Sequence, residues 1–107
     1  CGGIQGCHDM CSGKAPELER TTSFVGRWMD ILRPTYEKVA SGGGTDAEQI
    51  KRLEHEGILT SINNLMSFPF VSKLVDAEEL ALHAVILDIS DGTLEQFDPL
   101  IGSFCPI

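Results

Sequence analysis

Leu80-Ala81-Leu82-His83-Ala84-Val85-Ile86-Leu87-Asp88-Ile89 is the stretch on which the fold turns. It carries no polar alternation, and an apolar run of that kind reads as a strand covered on both faces, as inside a parallel sheet flanked by helices. Asp91-Gly92 is then a turn signal, and Thr93-Leu94-Glu95-Gln96-Phe97 alternates as an antiparallel return strand, closed by Asp98-Pro99. A strand buried on both faces needs hydrogen-bonded neighbours along both edges, because an orphaned buried N–H or C=O costs about 1–3 kcal/mol. The hairpin supplies only one. The expected fold is therefore α/β, the rear part of a mostly parallel β-sheet domain flanked by helices, with a C-terminal antiparallel edge strand. The missing strands would come from upstream or from another polypeptide.

Upstream of that run the pattern is helical. Thr45-Asp46-Ala47-Glu48 has capping-box form, and Ile50, Leu53, Gly57, Ile58, Ile62, Leu65 and Met66 succeed it at helical spacing. That helix ends near Ser67, because Pro69 disfavours helix at the residue before it. Phe70, Val71, Leu74 and Val75 predict a short helix, and Asp76 to Glu79 a turn. Ser41-Gly42-Gly43-Gly44 reads as a flexible surface loop. Leu18, Thr21, Val25, Trp28, Met29 and Leu32 predict a helix from Glu17 to Leu32, with Pro16 in its first turn and Pro34 bending or stopping the chain beyond it. Tyr36 and Val39 suggest a second short helical piece, and Ile4 to Cys11 another, ended by Ser12-Gly13.

At 107 residues the chain has room for one ordinary domain, and its 42% hydrophobic and 22% charged residues describe a globular protein rather than a disordered tail. A net charge of -8 opposes a nucleic-acid partner, which needs a basic face. No apolar run approaches the roughly 20 residues of a membrane span, and no signal-peptide pattern is present. The first residue is Cys rather than Met, which suggests a processed or truncated product. Three of the four cysteines, Cys1, Cys7 and Cys11, crowd near the start, with Cys105 far away. This favours thiols or metal ligands in a reducing compartment, the cytoplasm, over a disulfide framework.

Cys1-Gly2-Gly3 places a sulfur at the mouth of a loop whose glycines allow close backbone approach. A thiolate there, near the positive end of a helix, suits metal binding or nucleophilic chemistry. Cys7, His8 and Cys11 offer an alternative, a local metal site shared with Cys1. Elsewhere the plainer readings prevail. His55, Glu54 and Glu56 read as solvated helix surface, and His83 as a core or interface histidine bonded to a backbone group. Asp88 and Asp91 read as turn residues, and the Trp28 stripe as core or subunit contact.

Taken in order, Cys1-Gly2-Gly3-Ile4-Gln5-Gly6, then Trp28, then Glu56 to Pro69 (EGILTSINNLMSFP), Phe70-Val71, Leu80 to Ile89 and Asp91-Gly92-Thr93-Leu94 resemble the second half of β-class carbonic anhydrases. The likeness runs from about Cys1 to Pro99. It implies that residues 1–107 are the C-terminal part of a single such domain, a zinc enzyme interconverting carbon dioxide and bicarbonate as a homodimer or higher oligomer. By resemblance Cys1 is the second zinc-ligand cysteine, and Gly2 and Gly3 place N–H groups near substrate oxygens. The ligating histidine, the first cysteine and an Asp-Arg dyad would lie upstream, or on a complementary chain. Zinc lowers the pKa of bound water from about 15.7 toward 7 and so furnishes hydroxide at neutral pH. With Cys1 as its only matched ligand, the chain alone is expected to be inactive. Ala84 stands where the family often has glycine, and Leu87 where an aromatic is common. Two other expectations compete: an inactive remnant acting as an assembly module, and a small metal-binding protein using Cys1, Cys7, His8 and Cys11.

Overall fold

In the computed structural model the described residues are 2–13 and 24–107. The chain divides into two compact units, Cys1–Gly57 and Ile58–Ile107, and the boundary falls inside one long helix.

The first unit is helical. Helix α1, Gly2–Cys11, ends where Gly13 takes a left-handed φ of 85°, which glycine adopts without a Cβ clash. Helix α2, Phe24–Met29, tightens into a 3₁₀ turn at Asp30–Leu32 and passes into α3, Arg33–Ser41. Much of the expected Glu17 to Leu32 helix lies outside the described residues, and the described remainder is helical. Pro34 does not stop the chain. It sits in the first turn of α3, where its missing N–H would have had no intrahelical partner. Helix α4, Asp46–Met66, begins with the Thr45 cap that the sequence marks: the Glu48 N–H donates to Thr45 Oγ1 at 3.2 Å, and that hydroxyl, rather than the Thr45 N–H of a full capping box, donates to Glu48 Oε1 at 3.2 Å.

Cys7, Met10, Val39 and Leu53 are buried here, and Leu53 is 0% exposed. Burying a leucine fully contributes about 1.5–3 kcal/mol. Gly57 sits within this packing, since a Cβ placed on it would lie 3.6 Å from Ile4 Cδ1 and 3.8 Å from Leu32 Cδ1. The stripe of Phe24, Trp28 and Ile31, in contrast, is exposed. Of the two roles expected for Trp28, core is therefore ruled out.

The second unit contains helix α5, Pro69–Asp76, and three strands: β1, Val85–Leu87, β2, Leu94–Asp98, and β3, Ser103–Pro106. The strand order is β1-β2-β3 and both pairings are antiparallel, with Val85 opposite Gln96, Leu87 opposite Leu94 and Phe97 opposite Phe104. This overturns the expected mostly parallel sheet. Parallel neighbours need a crossover of a dozen or more residues, and the links from Leu87 to Leu94 and from Asp98 to Ser103 are far too short for one. The return strand pairs with β1 as expected, yet β2 is central rather than an edge, because β3 closes on its far side.

The reading of Leu80 to Ile89 as a doubly covered strand also fails. The strand is only Val85 to Leu87, bonded on to the return segment at Ala84 and Asp88, and Val85, Leu87 and Ile89 are exposed. Lack of alternation signals burial only where something lies over both faces. In the second unit, Val71 and Ala84 are the buried apolar residues among those described.

Candidate functional site

Cys1 lies outside the described residues. Gly2 opens α1 and Gly3 is next in its first turn, half-buried, so the paired glycines belong to a helix and not to the expected loop. The first N–H groups of a helix have no intrahelical acceptor and carry the positive end of its dipole. Gly2 and Gly3 therefore contribute such donors on the side of the chain that Cys1 precedes.

Four residues apart on α1, Cys7 and Cys11 turn toward α2 and α3, where the Cys7 thiol reaches the Met29 carbonyl at 3.7 Å. Burial, reinforced by the neighbouring Cys11, pushes the Cys7 thiol up to about 12. Burial raises Cys11 as well, partly offset by the positive charge of Arg33. Arg33 is itself held by Asp30, with Nη2 2.8 Å and Nε 3.0 Å from Oδ1. The Met29 side chain lies along α1 too, for a Cβ on Gly6 would stand 3.0 Å from its methyl and 3.7 Å from its sulfur.

His8 takes a different direction. It is 1% exposed, its Nε2 lies 3.0 Å from Gln49 Oε1 on α4, and its ring meets Tyr36 edge-on at 5.5 Å. Its Nδ1 is buried without a hydrogen-bond partner. The expected grouping of Cys7, His8 and Cys11 is thus split. Among the described residues no group of three or more His, Cys, Asp and Glu side chains gathers to hold a metal. These residues do not by themselves fit a zinc centre.

The remaining candidates lie in both units. His83 is exposed and outside the strand, and its Nδ1 accepts from the Gln96 side-chain amide at 3.1 Å, so the core reading with a backbone bond is corrected. Asp88 and Asp91 are turn residues as expected, accepting from the Ser90 and Thr93 N–H groups at 2.9 and 3.0 Å. Glu56 pairs with Lys38 at 3.0 Å, and His55 is half-buried. Gln49 and Met29 do not stand out from sequence as site residues. Gln49 does carry a signal, standing one helical turn before Leu53 on the face that the apolar stripe marks for burial.

The chain is similar to known proteins along most of its length. The carbonic anhydrase family model matches residues 1–94. Beta carbonic anhydrase 3 of Arabidopsis thaliana is 28% identical over 100 residues, which is 92% of this chain and 38% of that protein. The solved structure of the beta-carbonic anhydrase CcaA matches all of this chain and 50% of its own, with a TM-score of 0.81 and 23% identity, a likeness of fold. This chain spans half or less of the length of these relatives. With the family match running from Cys1-Gly2-Gly3 through α1 to α5 and into β2, the chain belongs to the β-carbonic anhydrase family.

Proposed function

We propose that these residues form the later part of a β-carbonic anhydrase domain and serve the reversible hydration of carbon dioxide to bicarbonate. The single observation that carries the reading is the family match, which covers Cys1-Gly2-Gly3 together with the helices downstream. In this reading Cys1 contributes one thiolate to zinc, and the other ligands come from outside residues 1–107 or from a complementary chain. Zinc, when bound, supplies Lewis-acid activation of water. Gly2 and Gly3 orient the substrate oxygens through first-turn N–H groups, which a helix N-terminus suits to anionic ligands. The free thiols of Cys7, Cys11 and Cys105 agree with a reducing compartment, and the cytoplasm is part of the proposal. Among the described residues no helix is long and apolar enough to cross a membrane.

A second reading, an inactive assembly module, is favoured by one observation: the exposed apolar side chains Phe24, Trp28 and Ile31 in the first unit and Leu87, Ile89 and Leu100 in the second. Such surface suits a homodimeric or larger association under either reading.

The test is zinc content and carbon dioxide hydration, measured on the purified chain alone and after co-expression with a polypeptide carrying the remainder of the family domain. The expected result is neither property alone, both in the complemented form, and loss of both in Cys1→Ser. Zinc and activity that survive Cys1→Ser would overturn the assignment. A folded complex lacking both would leave the assembly reading in its place.

A further inference from the structure

We propose that Gln49 is a positioning residue for the hydration reaction: through His8 it fixes the direction of α1, and with it the first-turn N–H groups of Gly2 and Gly3. This rests on the assignment of those groups to the substrate oxygens and of Cys1 to zinc.

The cost of the histidine is the first argument. His8 is 1% exposed; its Nε2 bonds Gln49 Oε1 at 3.0 Å, while its Nδ1 is buried without a partner. A buried polar atom left unpaired is destabilising, and an apolar pair of similar shape at these two positions would avoid that penalty. Packing stability alone thus gives no reason for a histidine here. What the imidazole supplies, and a leucine does not, is a bond with a direction.

Leverage is the second argument. His8 stands about 9 Å along the helix from Gly2, at 1.5 Å per residue. Nearer its start, α1 rests on apolar contacts: Ile4 Cδ1 lies 3.6 Å from where a Cβ on Gly57 would stand, and the Met29 methyl 3.0 Å from one on Gly6. Apolar contact is non-directional, so it presses α1 onto its neighbours without setting its tilt. The Cys7 thiol meets the Met29 carbonyl at 3.7 Å, a long sulfur contact that adds little direction. A tilt of about 6° over that length moves the first-turn donors by about 1 Å. A misplacement of that size costs a reaction roughly 100-fold.

The far end of the bond is the third. Gln49 Nε2 donates to the Gly44 carbonyl at 3.5 Å, in the loop before α4 where Gly44 takes a left-handed φ of 95°. Both ends of the amide are therefore assigned, and Oε1 is the atom presented to His8. Tyr36 on α3 backs the ring edge-on at 5.5 Å. The whole relay lies inside the first unit.

The experiment compares wild type, Gln49→Leu and the double variant His8→Leu/Gln49→Leu. Zinc content, kcat and KM are measured after co-expression with the remainder of the family domain. Urea midpoints and nitrogen–hydrogen residual dipolar couplings are measured on the chain itself, with circular dichroism to check folding. Gln49→Leu is expected to lower the urea midpoint and to lower kcat about tenfold to a hundredfold, with KM and zinc content unchanged. The double variant orphans no buried polar atom, so its midpoint should return toward wild type while kcat stays low. Its couplings should show the α1 N–H vectors turned relative to those of α4. Recovery of kcat together with stability would reduce the pair to a structural role and overturn the proposal. Unchanged α1 vectors in the folded double variant would overturn it as well. Failure of the zinc assignment shows in the wild type, which would then hold no metal and turn nothing over; failure of the positioning role shows only in the variants.

Discussion

The imidazole of His8 and the side-chain amide of Gln49 meet at 3.0 Å and tie α1 to α4 within the first unit. Gln49 directs its Nε2 to the Gly44 carbonyl at 3.5 Å, so its Oε1 is the acceptor and His8 Nε2–H the donor. Nδ1 is then the bare nitrogen. Gln49→Ala strands a buried donor, and the expected loss is about 1–3 kcal/mol of unfolding free energy by urea titration. Nitrogen chemical shifts should report the Nε2–H tautomer in the wild type, and the opposite tautomer would contradict the bond as drawn.

Folded Cys7 holds its proton up to about 12, against an ordinary value of 9.0. Between those values the folded state binds more protons than the unfolded one. The associated stability is fully present below pH 9 and is lost as the pH rises toward 12. The urea midpoint should accordingly fall more steeply above about pH 9 in wild type than in Cys7→Ala. Equal slopes would count against the burial of this thiol.

Leu53 is a sharper probe of packing, because it is fully enclosed. Leu53→Ala should cost about 2–5 kcal/mol. Chemical denaturation measures it, and a cost near that of a surface substitution, about 0.5 kcal/mol or less, would mean that the site is not enclosed.

The exposed apolar residues at and just after the end of β1 call for a different measurement. Leu87 and Ile89 are 56% and 83% exposed, so replacing both by lysine should change stability little, by about 0.5 kcal/mol or less. Sedimentation at increasing concentration should show weaker association for the double variant than for wild type. Unchanged association would remove this surface from any interface.

Sequence made the local devices readable because they are local. The Thr45 cap, the α4 stripe through Leu53, the Asp88 and Asp91 turns and the β1–β2 hairpin all arise from residues within a few positions of each other. What Leu80 to Ile89 pairs with is a long-range question, and apolar character alone answered it wrongly. Strand β3 is hard to read because it is short and ends in Pro106, tolerated only since β3 is an edge. Of the candidate site, the direction taken by His8 was hidden for the same reason: its partner is 41 positions away. Cys7 and Cys11 on one face were legible from helical spacing, whereas Met29 reaches Cys7 only through packing.

The exposed tip of the β1–β2 hairpin sets up a contest between greasy attraction and electrostatic spacing. With a net charge of -8, neighbouring molecules repel while Ile89 and its companions invite contact. Ordinary buffer salt shortens the reach of that repulsion to about 8 Å and leaves the attraction intact. Ionic strength is thus the dial that decides whether solutions of this protein stay dispersed.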